Sequence, residues 1–487
     1  MSDGEAPVEL QQRVNEFRRR VADTAPDGLD CGKLGELAQS IANQLGRELM
    51  RDVFERADAK SPTVTIDGEQ WGNQRRKKGT YETMFGEVEL ERSTYQRAGR
   101  GRVAVPLELR LGIIERRYTP RVARTIGHST AVMTAEDAAG FLKRVGVAEV
   151  SSSTVHRIAL AMAARHETMS EQVAAEVREA DPIPAATVAI QVALDGVMVG
   201  QDGEHCQRRG RKTDEPSPPR YATRYDLGPI LGPAASDDGT GRTWHEASVG
   251  TLSFIDEEGH VLKTTYLARM PEGGKASLVD QLHDELFAVL DERPDVTVCF
   301  ASDGAKYHWK VLAGMAAQLP KEATGDVYFL VDFFHVAGYL SQAANAIEGD
   351  DTPEAKLMAS NWREIVREFG DGAERVLKSM RYHRGKVRGE ARRKRVQEAI
   401  NYLAEQARNE RTGYAEARRN NLPIGTGITE AAAKTLVGVR MKRAGARYSQ
   451  HGGQTIMLFR SAVLSGRFDA LSNCLEDSYT KPVEEAA

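Results

Sequence analysis

The first sixty residues have the hydrophobic spacing of a helical region. Apolar side chains recur three or four positions apart from Leu34 through Ile41 to Leu49, which is the period of a helix with one buried face. Apolar and polar residues then alternate in part along Thr63–Ile66 and Thr83–Arg92, a pattern typical of strands. The N-terminal part is therefore predicted to be helical and to continue into a small β-rich element.

Two helices joined at a glycine are predicted within residues 107–180. Thr134 is placed to cap the first helix, Gly146 ends it, and Ser152 or Ser153 caps the second. This order is typical of a helix-turn-helix, whose second helix contacts DNA, and it fits an ordinary helical hairpin equally well. Arg157, on the second helix, faces DNA under the first interpretation and solvent under the second.

Continuous apolar runs begin after residue 185 and predict buried strands at Thr187–Leu194, Val296–Ala301 and Val327–Val331. A hairpin is expected at His245–Met270, a long loop at 201–243, and helices at Ser277–Leu290 and through most of 338–418. This order of strands and helices predicts an α/β fold with strands of mixed direction.

The predicted organisation has seven parts, the core being split by a helical insertion. These are a helical region (1–60), a β-rich basic element (61–106), a helix-turn-helix-like region (107–180), the first part of the core (185–337), the insertion (338–420), C-terminal core helices (421–470) and a tail (471–487).

The composition of the 487 residues is that of a soluble globular protein. Apolar residues make up 41% and charged residues 28%, with a mean hydropathy of -0.46. The sequence has no uninterrupted run of eighteen apolar residues, so no membrane-spanning helix is expected. The chain starts without the basic and apolar regions of a secretory signal. Its four cysteines are far apart and form no Cys-x-x-Cys motif. We therefore expect a cytoplasmic protein that does not associate with membranes.

The distribution of charge points to a polyanionic partner. The net charge is only -4, yet arginines and lysines are concentrated in 92–124, 378–395 and 440–447. Such blocks can form phosphate contacts with nucleic acid. A single block would indicate a solvated face, but three blocks in an otherwise acidic chain favour a polyanionic partner.

Two aspartates, Asp195 and Asp303, each follow a predicted buried strand. If the strands are neighbours, both carboxylates reach one edge of the sheet, where they repel each other unless a cation neutralises them. Mg²⁺ prefers such oxygen ligands, and a pair of ions supports phosphodiester chemistry. The alternative is that each Asp-Gly pair is only a turn.

Five strings in order along the chain resemble those of a known family. They are Ala193–Gly196, Ala301–Ala305, Val331–Val336, Ile424–Glu430 and Val439–Ser449. Together they resemble the DDE transposases of bacterial insertion sequences, most closely the ISKra family and more distantly Mutator-like enzymes. The resemblance extends over roughly residues 80 to 470.

The resemblance implies an RNase H-like core with a helical insertion before the last acid. It assigns catalysis and metal binding to Asp195, Asp303 and Glu430. Our hypothesis is that Asp195 bridges two Mg²⁺ ions, for which Mn²⁺ can substitute, while Asp303 binds one ion and Glu430 the other. Asp332 and His335 match a supporting Asp-x-x-His motif, and Asp332 is the main rival for a place on the metal.

Basic residues after Glu430 are the expected phosphate contacts, namely Arg440, Lys442, Arg443 and Arg447. Trp362 could stack an unpaired base, although core packing is the better interpretation. Gly273–Ser277 lacks the leading glycine of a nucleotide-binding loop, so nucleotide binding is rejected.

The sequence therefore predicts a nucleoid-associated transposase that performs DNA transposition and recombination. Its partners are double-stranded DNA, as terminal inverted repeats and as target, and at least one further copy of the chain. The alternatives are a domesticated or inactive relative that binds DNA without cutting it, and a metal-dependent nuclease that does not join strands.

Overall fold

The computed structural model describes residues 8–24, 28, 30–97, 101–202, 236–237, 242–272, 275–442 and 448–486. The chain divides into two units, one of Met1–Ala180 with Arg467–Ala487 and the other of Asp181–Gly466. The predicted mixed α/β class is confirmed, because helices and two separate sheets make up the described chain. Most of the predicted loop at 201–243 lies outside the described residues.

The helices in chain order are α1 (Val8–Asp23), α2 (Cys31–Ala57), α3 (Pro106–Arg110), α4 (Pro120–Val132), α5 (Ala135–Arg144), α6 (Ser152–Glu167), α7 (Ser170–Glu179), α8 (Ala276–Glu292), α9 (Lys306–Ala316), α10 (Phe333–Glu348), α11 (Pro353–Glu368), α12 (Gly372–Lys386), α13 (Glu390–Arg408), α14 (Tyr414–Arg419), α15 (Gly427–Ala432), α16 (Val439–Met441), α17 (Gln450–Leu464) and α18 (Phe468–Tyr479), with a π-helical segment at Ala433–Gly438. The strands are β1 (Val64–Ile66), β2 (Glu69–Thr83), β3 (Gly86–Gln96), β4 (Val103–Ala104), β5 (Ala189–Asp202), β6 (Ser236–Asp237), β7 (Arg242–Ile255), β8 (Val261–Arg269), β9 (Thr297–Ser302), β10 (Val327–Val331) and β11 (Val483–Glu485).

The first unit contains an antiparallel sheet in the order β11-β1-β2-β3-β4. β2 and β3 form a long hairpin, and Phe54 of α2 packs against Tyr81 and Val88 from it. The basic run Arg75–Lys78 lies on the exposed part of β2, where carboxylates on neighbouring elements pair with some of these cations.

The segment expected as a tail, 471–487, contains the end of α18 and the whole of β11. β11 pairs with β1, so that Val64 lies opposite Glu485. The Glu485 carboxylate accepts hydrogen bonds from the backbone N–H groups of Lys60 (2.8 Å) and Ser61 (2.9 Å). These bonds, with the Arg110 guanidinium, lower the pKa of Glu485 to about 2. Three residues are too few for alternation to reveal a strand.

The two helices predicted at 134–167 are α5 and α6. The Thr134 hydroxyl accepts a hydrogen bond from the backbone N–H of Asp137 at 3.0 Å and so caps α5. Ser151, rather than Ser152 or Ser153, caps α6. The connection between them runs from Val145 to Ser151, longer than the three- to four-residue turn typical of a helix-turn-helix.

The second unit contains a mixed sheet in which β10, β9, β5 and β7 are successive neighbours, and β8 and β6 pair with β7. β5, β9 and β10 run parallel, with Leu194 and Val331 both in register with Ser302. β7 is antiparallel to β5 and to β8. The parallel strands therefore bring the residues after Leu194, Ser302 and Val331 to one edge.

Both faces of this sheet are buried, as the continuous apolar runs predict. Ile190 and Val192 pack with the apolar residues of α8 on one face. Val197 and Val199 lie on the other face, among Leu436, Val437 and neighbouring residues of the C-terminal helices. Because strand side chains alternate with period two, Asp195 is on the same face as Val197.

The stretch predicted to be helical, 338–418, is occupied by α10 to α14, but α10 begins at Phe333 rather than near residue 338. The Asp-x-x-His motif therefore forms the start of a helix. Trp362 is 4% exposed, and its indole N–H donates to the Ser379 hydroxyl at 3.1 Å. No helix in the described ranges combines the length and apolar character needed to cross a membrane.

Candidate active site

Three aspartates lie side by side at the edge where the parallel strands of the second unit meet. Asp303 follows the last residue of β9, and Asp332 follows the last residue of β10. Strand β5 does not end at Asp195 as predicted, because it continues through this residue to Asp202. The continuation arises because β5 still pairs with β7 after β9 has ended. Asp195 and Asp303 nevertheless each follow one of the paired residues Leu194 and Ser302 on neighbouring strands.

Glu430 reaches this edge because side chains on the sheet hold α15 and the loop before it. Gln191 on β5 donates its side-chain N–H to the carbonyl groups of Pro423 (3.2 Å) and Gly425 (3.3 Å). The hydroxyl groups of Thr251 and Thr429 share a buried hydrogen bond of 2.7 Å. Glu430 is the residue after Thr429, so these contacts determine the position of its backbone at the edge of the sheet.

The three predicted catalytic acids line one cavity of about 760 Å³. Asp195, Asp303 and Glu430 are each partly exposed within it, so a ligand or water can reach them. His335, Lys434 and Lys442 also line the cavity. The His335 Nε2 atom is 3.5 Å from the Glu430 Oε1 atom.

Asp303 is held in the ionised form by its neighbours. Its Oδ1 atom accepts a hydrogen bond from the backbone N–H of Ala305 at 2.9 Å and lies 3.3 Å from His308 Nδ1. Burial alone would raise the pKa of this carboxyl group. The interactions with His308, Ala305 and His335 outweigh burial and lower the pKa to about 2.

Asp195 has the opposite shift. Its carboxylate accepts a hydrogen bond from the backbone N–H of Gly196 at 2.7 Å. Burial is the largest influence and raises the pKa of Asp195, and the negative charges of Asp303 and Glu430 raise it further. A carboxyl group in this position is one that a bound cation would stabilise in the ionised form.

The chemistry of these donor atoms suits a hard divalent cation. The donors are carboxylate oxygens from three elements, which Mg²⁺ and Mn²⁺ prefer over nitrogen or sulfur. The partial exposure of the acids leaves room for the waters that Mg²⁺ retains. Asp195, Asp303 and Glu430 are thus the residues that could hold a metal.

Asp332 has a different environment from the other aspartates. It is 1% exposed, and Oδ1 accepts hydrogen bonds from the backbone N–H groups of Phe334 (2.6 Å) and His335 (3.1 Å). Oδ2 accepts from both the backbone N–H (2.7 Å) and the hydroxyl of Thr426. Both oxygens are therefore engaged in capping α10 and in tying it to the loop before Glu430.

The predicted phosphate contacts fall in different environments. Lys442 is exposed and lines the cavity, whereas Arg440 is buried and donates to the Tyr448 hydroxyl at 3.0 Å. Arg443 and Arg447 lie outside the described residues. Arg157 belongs to the first unit, where its guanidinium contacts the Glu115 carboxylate at 2.9 Å.

Several residues around the site were not found from the sequence. His308 lies five positions after Asp303, and Lys434 lies one helical turn after Glu430, a spacing that could have indicated a shared face. Gln191 and Thr251 give no sequence signal, because their roles depend on tertiary contacts.

Lys275, from the glycine-rich string at 273–277, is another buried charged residue near the site. Gly273 and Gly274 of this string lie outside the described residues. Lys275 is buried and pairs with Glu246 at 3.0 Å. Gly196 gives Glu246 its space, since a Cβ atom there would fall 1.5 Å from Glu246 Oε1. Lys275 therefore has a carboxylate as its partner beside the Asp195-Gly196 pair.

In the described chain, one group of three possible metal ligands has all its donor atoms within 4.8 Å of one another, and it lies at the turn between β7 and β8. It comprises Asp256, Glu258 and His260. Asp256 Oδ1 already accepts hydrogen bonds from the backbone N–H groups of the other two residues, so this cluster is explained by the closure of the turn.

No known family model matches the chain, and no curated protein sequence matches it.

Proposed function

We propose that this chain is a metal-dependent DDE transposase that cleaves DNA at transposon ends and transfers the freed strands into target DNA. The observation that supports this most is the convergence of Asp195, Asp303 and Glu430 on one cavity. The acids come from distant parts of the sequence. Phosphodiester chemistry depends on such acids because charge develops on the phosphate oxygens during the reaction.

The sheet of the second unit supports an RNase H-like core. The antiparallel strands β5, β7 and β8 precede the parallel strands β9 and β10 along the chain. Helices α10 to α14 stand between β10 and Glu430. This is where the resemblance to DDE transposases implies a helical insertion.

The proposed cofactor is Mg²⁺, with two ions expected and Mn²⁺ as a substitute. Asp195, Asp303 and Glu430 would hold it. When bound, it would activate the attacking oxygen and stabilise charge on the leaving oxygen. Asp332 is proposed as a positioning residue, because its carboxylate is fully engaged in hydrogen bonds to the chain.

Two lysines and a histidine of the cavity are the proposed contacts to the scissile phosphate. Lys434 and Lys442 are exposed cations on the wall next to the acids, and each can contact a phosphate oxygen. The imidazole of His335 lies beside Glu430 and can accept or hold a proton at Nε2.

The proposed reaction has two steps, hydrolysis at the transposon end and transfer of the freed strand. A water oxygen first bonds to phosphorus while the bond to the 3′ oxygen breaks, which leaves a 3′-hydroxyl and a 5′-phosphate. The 3′-hydroxyl then attacks a target phosphodiester, forming one new ester bond and releasing a target 3′-hydroxyl. Two transposon ends must be held together, so the proposed partners are duplex DNA and at least a second copy of the chain.

The test is cleavage and joining of a duplex that bears the terminal repeats of the element, with Mg²⁺ present. The wild-type protein is compared with Asp303→Ala and with Glu258→Gln, an exposed acid of the β7–β8 turn. Nicking and joining by the wild type and Glu258→Gln, but not by Asp303→Ala, is the expected result. Nicking without joining would indicate a nuclease, and binding without cleavage would indicate a DNA-binding relative.

A further inference from the structure

An exposed aromatic ring stands beside the candidate active site. Phe334 is 68% exposed, the most of any large apolar side chain in the described parts of the chain. It directly precedes His335, which lines the cavity, and Val439 on the cavity wall is itself 61% exposed. Apolar surface left in water is unfavourable, so a ligand that covers the ring would gain from contact.

The chain fixes the backbone that presents this ring. The N–H of Phe334 donates to the Asp332 carboxylate at 2.6 Å, and the N–H of Phe333 donates to the carbonyl of Ile424 at 3.0 Å. The buried Phe333 ring lies edge-on to the Phe334 ring, with centroids 5.9 Å apart. A ring held in this way loses little freedom when a ligand binds.

Gly425 gives one side of the ring a support. A Cβ atom at this position would lie 2.9 Å from the Phe334 ring, so only glycine allows so close an approach. Gly425 is next to Thr426, which lines the cavity. The ring is therefore packed against the loop and against Phe333, and the greater part of its surface remains open to solvent.

We propose that Phe334 is a stacking platform for an unpaired nucleobase of the DNA next to the scissile phosphate. This deepens the function proposed above and rests on it. Single-stranded nucleic acid is bound by combining aromatic rings, which stack on bases, with cations that contact the backbone. Phe334 supplies the ring, and Lys434 and Lys442 supply the cations. Trp362, for which the sequence favoured core packing over base stacking, is buried in the core.

The test places a fluorescent reporter at the platform. Phe334→Trp retains a stacking ring, and its fluorescence is titrated with a short single-stranded oligonucleotide. Leu357→Trp is the matched control, since Leu357 is 63% exposed in α11 of the same unit. A parallel titration of the wild type corrects for the four native tryptophans. We expect quenching in Phe334→Trp and none in Leu357→Trp.

Affinity and cleavage provide an independent measure. Phe334→Ala should weaken oligonucleotide binding by about 5- to 150-fold, the range that one base–aromatic stack supports, while Leu357→Ala should leave it unchanged. Phe334→Ala should cleave a fully paired transposon end poorly. It should recover part of its cleavage rate on an end whose terminal base pair is mismatched. Circular dichroism verifies that the variants are folded.

The outcomes separate this proposal from the proposed function. Normal cleavage by Phe334→Ala, with unchanged oligonucleotide affinity and no quenching in Phe334→Trp, would overturn the platform and leave the transposase intact. Quenching without any metal-dependent cleavage would retain the platform and remove the transposase. A change in oligomeric state with unchanged DNA affinity would mean that the ring contacts a second copy, and the platform would then be wrong.

Discussion

Asp195 and Asp303 each follow one of two paired residues on neighbouring strands, yet their pKa values move in opposite directions. Asp303 interacts with His308 and the Ala305 N–H, whereas Asp195 is dominated by burial and by the charges of the other acids. Environments that separate two pKa values in this way are typical of functional sites. One carboxylate is thus fixed as an anion, and the other is the one whose ionisation a cation would favour.

His308→Ala should raise the pKa of Asp303, because the interaction that opposes burial is lost. In the wild type the pKa of about 2 is below the unfolded value of about 3.9. Ionised Asp303 therefore contributes stability above about pH 4, and this contribution is lost as the pH falls towards 2. The variant should unfold in acid at a higher pH than the wild type. Circular dichroism between pH 2 and 6 measures this shift.

The control for this prediction is His260→Ala, which removes an exposed histidine of the β7–β8 turn. NMR titration of the Asp303 carboxyl group then gives the pKa directly. An unchanged pKa in His308→Ala would contradict the account of how Asp303 is kept ionised.

At the scale of elements, the site depends on how helices meet the end of the sheet. Asp332 joins the start of α10 to the loop before α15. Helix α13 of the insertion approaches the turn after β9, where Tyr402 lies against Gly304. The acids are thus supported by elements that are far apart in sequence.

Asp332→Ala should destabilise the protein more than the loss of an ordinary helix cap does. Thr352→Ala is the matched control, because Thr352 caps α11 through one hydrogen bond. Loss of a cap costs about 1 kcal/mol, and the buried Asp332 carboxylate accepts further bonds from Thr426, which are worth about 1.5–3 kcal/mol for a charged group. The fall in melting temperature should be at least twice that of Thr352→Ala. Calorimetry measures both.

Metal binding distinguishes the two roles of Asp332. If Asp332 is a positioning residue, the Asp332→Ala variant should retain most of the Mn²⁺ affinity of the wild type. An Asp332→Ala protein as stable as Thr352→Ala that no longer bound Mn²⁺ would instead make Asp332 a metal ligand.

Gly304→Ala should disturb the catalytic turn through α13. A Cβ atom at residue 304 would lie 2.4 Å from the Tyr402 ring, and that ring is stacked on Tyr339 at a centroid distance of 4.0 Å. Overpacking of this kind costs about 1–3 kcal/mol. The melting temperature and the rate of DNA cleavage should both fall, and adding Tyr402→Ala should return part of the cleavage rate. No recovery in the double variant would show that the contact is unimportant for the site.

At the scale of the whole molecule, the sequence predicts what local pattern determines and misses what tertiary contacts determine. The bounds of β10 follow from the apolar run Val327–Val331, which is unbroken. The continuation of β5 beyond Asp195 is missed, because glycines and a polar end interrupt its pattern and pairing with β7 extends it. The closeness of Asp195 and Asp303 could be expected from their positions after apolar runs. The contacts of Gln191 with the loop before Glu430, and of His308 with Asp303, could not be expected, because they depend on tertiary structure.

The central claim is that Asp195, Asp303 and Glu430 form the metal site. The most direct measurement is Mn²⁺ binding followed by electron paramagnetic resonance, for the wild type, Asp195→Asn, Asp303→Asn, Glu430→Gln and Glu258→Gln. The account predicts that the wild type and Glu258→Gln bind Mn²⁺ with equal affinity and that each of the other three variants loses at least tenfold. Equal binding by all five proteins, or loss in Glu258→Gln alone, would contradict it.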